Sequence, residues 1–282
     1  MIKKNEEELF NLAIRAKKLI LDLHFHKKSG HVGSALSCLE ILACTRFCWM
    51  GDDNSLVLSK GHAASALYSI LAVAGDISEE ELRSNYYRDG TLFSAHPPPN
   101  RLPKISFATG SLGHGPGIAA GISLGYRFLD SRRRVYCVVS DGEMNEGSVW
   151  EAVAFSRQFR LSNLCLIVDR NGLQGFGRTK DVMDLSPLEE KFAAFGFAFR
   201  VVNGHNLPEL LEQHDLLVED CTRQNVPGVI IADTIKGYGL PSLQDTLDCH
   251  YLPMSDSEYL GAIAKLNSNR IEVVKGRSEQ SM

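Results

Sequence analysis

Two polar residues, Asp141 and Asn171, stand where a ligand is most easily held, just beyond the apolar runs VYCVVS and NLCLIVD. Asn171 comes 30 residues after Asp141, about one crossover plus one strand, so both side chains should reach neighbouring strand ends. A carboxylate, an amide oxygen and a loop carbonyl make the hard oxygen set that Mg²⁺ or Ca²⁺ takes, and Mg²⁺ completes its octahedron with phosphate oxygens and water. Gly142 lets the backbone turn sharply and approach a ligand. A helix beginning near Gly147 turns its N-terminal amides to the same edge, where they favour an anion. Asp before Gly, or an Asn-Gly turn, is common in ordinary loops. The two at crossover spacing point to a metal.

Of nine histidines, four stand in glycine- or proline-marked loops: His31 in SGHVGS, His62 in LSKGHAASALY, His96 in FSAHPPPN and His250 in DCHYLP. An imidazole with an unperturbed pKa of about 6.5 suits proton transfer near neutral pH. His24 and His26 lie on or just past the first helix and read as surface or packing residues, and His114 caps or lines a helix start. His205 and His214 belong to no motif.

The elements that must position these groups follow from hydrophobic periodicity. Leu9, Leu12, Ala13, Ala16, Leu19, Ile20 and Leu23 have helical spacing between Glu6 and Lys28. Further helices are expected near 36–49, 62–73, 115–129, 148–159, 187–195, 207–219 and 255–267. Strands are expected at 55–59, 104–109, 135–140, 163–169, 197–202 and 228–233. Runs apolar on both faces, alternating with helices, indicate an α/β fold with a mostly parallel sheet covered on both sides. Right-handed crossovers put the carboxyl ends of the strands on one edge, where ligands bind. The glycine-rich polar segments all fall there. A single domain is expected over 1–267, followed by a polar tail at 268–282.

Composition narrows the setting. A net charge of −4 gives no reason to expect nucleic acid or an anionic membrane as the main partner. Seven cysteines, an odd number mostly among apolar neighbours and without a CxxC pair, read as reduced thiols of a cytoplasmic protein rather than disulfides or structural zinc ligands. The charged amphipathic N-terminus is not a signal peptide, and no apolar run approaches a membrane span.

The run SDGEMNEGSVWEA, then NLCLIVDRNGLQ, together with the histidine loops, resembles the transketolase family, and more closely the separately encoded N-terminal subunits of split transketolases. Ser140 replaces the first glycine of the family's GDG motif, Val32 the proline of SGHPG, and Tyr251 the glycine of W-H-G. The resemblance implies a thiamine diphosphate-binding fold, with Asp141, Asn171 and the carbonyl of Leu173 holding the divalent ion that bridges the cofactor's diphosphate. It implies diphosphate contacts from His62, His250, Ser34, Gly142 and Lys236, and close passage of Gly110, Ser111 and Leu112 by the cofactor rings. His31, His62, His96 and His250 would converge as catalytic imidazoles over the cofactor's reactive carbon, with His31 and His96 binding or protonating the sugar, and Glu146, with Glu151 nearby, would join a proton-relay network at the subunit interface.

In that family the glutamate that activates the cofactor belongs to a second, pyrimidine-binding domain, for which no further βα units are seen here. The resemblance therefore implies a separate C-terminal transketolase subunit, an α2β2 assembly, and sugar phosphate substrates gripped mostly by that partner. Two rival readings stand beside it. Gly115, Gly117 and Ala120 form a GxGxxA, as in an NAD-type Rossmann oxidoreductase. The departures at Ser140, Val32 and Tyr251 would suit a non-catalytic homologue that only binds the cofactor.

Overall fold

The computed structural model describes residues 5–278 apart from positions 52 and 100, and the side chains of residues 269–278 are outside the description. In chain order the elements are α1 (Glu6–Lys27), α2 (Val32–Ser37), α3 (Leu39–Cys44), β1 (Ser55–Leu58), α4 (Ala64–Ala74) and α5 (Glu79–Asn85). Then come α6 (His114–Phe128), β2 (Val135–Ser140), α7 (Gly147–Gln158), β3 (Leu164–Arg170) and a small hairpin, β4 (Leu173–Gln174) with β5 (Gly177–Arg178). The chain continues with α8 (Thr179–Met183), α9 (Leu188–Ala194), β6 (Ala198–Asn203), α10 (Leu207–Gln224), β7 (Gly228–Asp233), α11 (Asp248–Tyr251) and α12 (Asp256–Ser278).

Five strands form one parallel sheet in the order β1-β2-β3-β7-β6. Alternation along its three central strands divides the core in two. Tyr136, Val138, Cys165, Ile167, Ile230 and Ala232 pack on one face, against α1, α3, α4 and α10. Val135, Cys137, Val139, Leu164, Leu166, Val168, Val229 and Ile231 pack on the other, with Ala119 of α6, Val153 of α7 and Phe192 of α9. Both faces are covered, which is why these strands are apolar at every position.

Several expectations need correction. Segment 104–109 is not a strand: Ile105 makes one isolated bridge to Leu102, and Ser106, Phe107 and Ala108 are exposed. The ladder position beside β2 belongs instead to β1, with Ser55 opposite Val135. The helix expected at 36–49 is broken into α2, α3 and a π turn at Thr45–Trp49. Helix α12 runs straight through the boundary expected at 267/268, and the end of the tail, 279–282, lies outside the described residues.

At the carboxyl end of β3 the sheet carries a buried ion pair. Lys60 and Asp169 are both fully buried and in direct contact. The hydroxyls of Ser37, at 2.6 Å, and of Thr234 donate to the same carboxylate. The Lys60 ammonium also reaches the Ser34 carbonyl at 3.1 Å. Three separate segments are thereby tied to one strand end. Removing one partner of such a pair leaves an uncompensated buried charge, a cost of about 3–5 kcal/mol. Lys60→Met should therefore lower the unfolding free energy by about that amount in a urea titration; a loss below about 1 kcal/mol, the range of an exposed pair, would contradict the arrangement.

Candidate active site

Register brings the two predicted oxygen donors together. Ser140 pairs with Asp169, so Asp141 and the loop after β3 leave the sheet side by side. The amide of Gly172 donates to Asp141 Oδ2 at 2.7 Å, and the hydroxyl of Thr179 adds a contact at 3.3 Å. Asn171 Oδ1 accepts from the Leu173 amide at 3.1 Å, and its amide nitrogen donates to Asp169 at 3.4 Å. The Leu173 carbonyl accepts from Lys236 Nζ at 3.0 Å. Asp141, Asn171, Leu173 and Lys236 thus occupy one corner of the edge. A Cβ on Gly142 would stand 2.7 Å from that of Gln174, so the approach of the two loops requires glycine there.

Three of the four loop histidines form a ring cluster. The imidazole centroids of His31 and His250 are 4.9 Å apart, those of His31 and His62 5.6 Å, and those of His62 and His250 5.7 Å. The backbone helps to hold them, since the His31 amide donates to the His250 carbonyl at 2.9 Å and His31 itself sits at φ 68°. His96 is close enough to bias His31 electrostatically, and it packs against Gly110 so tightly that a Cβ there would lie 2.9 Å from its Cδ2. Nδ1 of His31, Nδ1 of His250 and Oγ of Ser34 are buried without a hydrogen-bond partner. Buried polar atoms left bare are the mark of a place built for a ligand.

The electrostatics agree. Burial, then the charges of Lys236, His31 and Lys60, push the His250 pKa down to about 3. His62 is pushed down by burial and by Lys60, and His31 by burial and by His96. Lys236 falls to about 8, from burial and the neighbouring Lys60 ammonium. Asp141 rises to about 6, because burial and the Asp169 carboxylate outweigh the hydrogen bonds from Gly172 and Gly142. Neutral imidazoles beside crowded ammonium groups describe a pocket that gains when a polyanion enters.

The family of thiamine diphosphate-binding transketolase domains matches residues 11–271. The chain belongs to the transketolase family. It is 36% identical over 247 residues to a 6-deoxy-6-sulfo-D-fructose transketolase subunit of Clostridium sp. strain MSTE9, covering 84% of this chain and 88% of that one. It is 34% identical over 254 residues to one subunit of the apulose-4-phosphate transketolase of Actinobacillus succinogenes, covering 86% and 90%. The crystal structure of Campylobacter jejuni transketolase superposes with a TM-score of 0.84 at 26% identity, over 94% of this chain but 43% of that longer one. This is a transketolase-type transferase domain with the fold of its family.

The departures from the family pattern have local accounts. Ser140 Oγ accepts from the Glu143 amide and the Ser140 amide donates to Glu143 Oε2, both at 3.3 Å, so the hydroxyl closes the turn that glycine would leave open. Val32, fully buried, fills the first helical position of α2, a site that also suits proline. Tyr251 donates to the Gly175 carbonyl at 2.8 Å, joining the segment of His250 to the loop after β3. The Rossmann reading loses its structural context, because among the described residues no strand leads directly into the GxGxxA segment.

One buried carboxylate beside these groups has no place in the sequence reading. Glu143 is fully buried and accepts from the Ser59 hydroxyl and, at 2.7 Å, from the Gly113 amide, which fixes the turn carrying Gly110, Ser111 and Leu112. Glu146 sits elsewhere: it is exposed at the start of α7, beside Gly113, next to a groove between α6 and α7 that Glu151 lines. A cleft of about 540 Å³ opens beside Asp141, walled by Arg170, Gly172, Arg178, Thr179 and Met183.

The depressed imidazoles set a pH dependence. His24, buried in α1, also falls, to about 4, through burial. His24, His31, His62, His96 and His250 all lie below the ordinary value of 6.5 in the folded chain. The unfolded chain therefore binds protons first, and stability present above pH 6.5 is lost as pH falls below it. Asp141, with one proton between about 6 and 3.8, and Glu143, also raised by burial, oppose this and do not balance five imidazoles. Urea midpoints should drop steadily from pH 7.5 toward pH 5. His24→Gln should flatten the slope by about 1.4 kcal/mol per pH unit, one proton's worth. A midpoint independent of pH across that range would contradict the neutral cluster.

Proposed function

We propose that this chain is the diphosphate-binding subunit of a transketolase that moves a two-carbon ketol unit from a ketose, in phosphorylated form, to an aldose. A separate subunit carrying the pyrimidine-binding domain completes it, in an α2β2 assembly. The observation that carries the reading is the meeting, at one sheet edge, of Asp141, Asn171, the Leu173 carbonyl and Lys236 with buried, unsatisfied atoms of Ser34, His31 and His250. The names of two relatives support the split arrangement, since both are transketolase subunits, close to this chain in length.

The residues fit the cofactor and its metal. Asp141 and Asn171 offer side-chain oxygens, and Leu173 a carbonyl, suited to Mg²⁺ or Ca²⁺. Lys236, Ser34 and the His62 and His250 imidazoles offer donors to a diphosphate, with Gly142 allowing close approach. Gly110, Ser111 and Leu112 form the turn that passes the cofactor rings. Bound there, thiamine diphosphate supplies the acidic carbon and electron sink that breaking a ketose carbon–carbon bond requires.

The chain's own work is proton handling and orientation. An imidazole held neutral at pH 7 can accept a proton from a sugar hydroxyl, and His31 and His96 are assigned that task. His62 and His250, depressed by burial and by Lys60 and Lys236, would gain proton affinity beside a bound diphosphate, whose charge would oppose those ammonium groups. Glu146, on the outer face beside α6, is assigned to a hydrogen-bond relay with a second copy across the assembly. The seven cysteines, none of them in a disulfide among the described residues, suit a cytoplasmic setting, and among the described residues no helix is long and apolar enough to cross a membrane.

Mixing this chain with its partner subunit, thiamine diphosphate, Mg²⁺ and a ketose phosphate should give ketol transfer to an aldose, measured as new ketose formed. Asp141→Ala should lower turnover by at least about 100-fold, the scale of losing an electrostatic contact at the reacting centre, and EDTA should abolish turnover reversibly. Full turnover by the chain alone would refute the two-subunit arrangement. Turnover without added thiamine diphosphate, by protein freed of it, would refute the cofactor assignment.

A further inference from the structure

The loop that follows β7 carries Lys236, and it is pinned at consecutive residues. The Thr234 hydroxyl donates to Asp169, Lys236 Nζ reaches the Leu173 carbonyl, and the Gly237 amide donates to the Gly33 carbonyl at 3.0 Å. Each of those three contacts is made inside the site. The amide of Thr234 also donates to the Arg170 carbonyl at 3.1 Å and the Lys236 carbonyl accepts from the Asp245 amide at 2.8 Å. One side-chain pin is made from outside the site: the Ile235 amide donates to His205 Nε2 at 2.9 Å.

An Nε2 that accepts from an amide carries no proton, so the ring proton of neutral His205 is on Nδ1. That nitrogen lies 3.1 Å from Glu40 Oε2, to which it donates. The other oxygen of Glu40 accepts from Lys17 Nζ at 3.1 Å, and both members of that pair are about nine-tenths buried. Tyr238 closes the arrangement, stacked on His205 with centroids 3.6 Å apart and an interplanar angle of 16°, and with the Lys17 ammonium 4.5 Å over its ring. Lys17 of α1, Glu40 of α3 and His205 of the β6–α10 turn therefore form a continuous tether from the helical layer to the loop. Its first bond is charge-assisted and its second fixes the tautomer that its third needs.

We propose that His205 is a positioning residue for diphosphate binding: backed by Glu40 and Lys17, it holds the Ile235 amide and so sets where Lys236 presents its ammonium group. A free loop would have to be ordered each time the anion bound, whereas a tethered one is ordered beforehand, and preorganisation appears as affinity. The inference rests on the thiamine diphosphate reading above and adds a residue that contacts neither cofactor nor substrate in that reading.

The experiment uses the chain assembled with its partner subunit, following thiamine diphosphate binding by calorimetry at saturating Mg²⁺. His205→Phe keeps a ring on Tyr238 and removes both polar atoms; it should weaken binding about tenfold, with turnover at saturating cofactor within about threefold of wild type. His205→Gln, which can accept from Ile235 and donate to Glu40, should recover most of the loss. On a Lys236→Met background, His205→Phe should change affinity less than about twofold, because the two act through one group. Wild-type affinity in His205→Phe, or losses that multiply in the double variant, would overturn the proposal. A second readout needs no cofactor: exchange of the Ile235 amide in the unliganded chain should accelerate at least about tenfold in His205→Phe, and unchanged exchange would overturn the tether. Accelerated exchange in a complex that binds no thiamine diphosphate would sink the functional reading and with it the proposed role of the tether. Glu40→Gln keeps the shape of the tether without its charge and should show a smaller loss of the same kind, which serves if His205→Phe does not fold.

Discussion

The ion pair between Lys60 and Asp169 is the constraint around which the site is arranged. Asp169 ends the central strand β3 with no solvent to stabilise its charge, so every group that can reach it is drawn in. Lys60 comes from the turn before α4, Ser37 from α2, Thr234 from the loop after β7 and Asn171 from the loop after β3 itself. Those segments bear Ser34, His31, His62, Lys236 and, of the oxygen donors, Asn171 and Leu173. The carboxylate is held below its usual range by Lys60 and by these hydrogen bonds, against the opposing pull of burial. One strand end thus sets the relative placement of loops far apart in the chain.

The same pair tunes what surrounds it. Asp169 helps to lift Asp141, and Lys60 helps to depress His62, His250 and Lys236. Since Lys60 and Asp169 largely cancel each other and the imidazoles are neutral, the residual charge belongs to Lys236 and to Asp141. A divalent ion would bring the Asp141 pKa back down from about 6 toward its ordinary value, and a diphosphate would bring that of Lys236 back up from about 8. Each bound group relieves a different electrostatic conflict in the pocket. The two should therefore bind cooperatively, with the metal–diphosphate unit, rather than either ion alone, matching the site.

Much of this was legible in the sequence because it depends on short-range pattern. The runs VYCVVS, NLCLIVD and GVIIAD are apolar throughout since those strands lie between two helical layers, and strand ends followed by glycine mark the ligand edge. The segment KISFAT misled because it has strand-like composition, whereas Ser106, Phe107 and Ala108 face water and SLVL has taken the ladder position next to β2. Composition reports fitness for a strand, and pairing is decided by which segment reaches the ladder. The buried charges were beyond reach for a different reason. Lys60 and Asp169 are 109 residues apart, and Glu40 and His205 are 165 apart, so nothing local distinguishes them from surface residues. His205 looked idle for the same cause.

The three departures from the family motif show what such a motif specifies. At Ser140 the requirement is a tight turn into Glu143, met by a hydroxyl that accepts the amide hydrogen bond in its own side chain. At Val32 it is a residue that can open a helix while filling a dry space, which needs no proline ring. At Tyr251 a phenol, which glycine could not supply, links the segment of His250 to the loop of Leu173 through the Gly175 carbonyl. In each case the residue present makes local contacts of its own. Asp141, Asn171 and the histidines have no such alternative, because the proposed role needs a particular atom at a particular place.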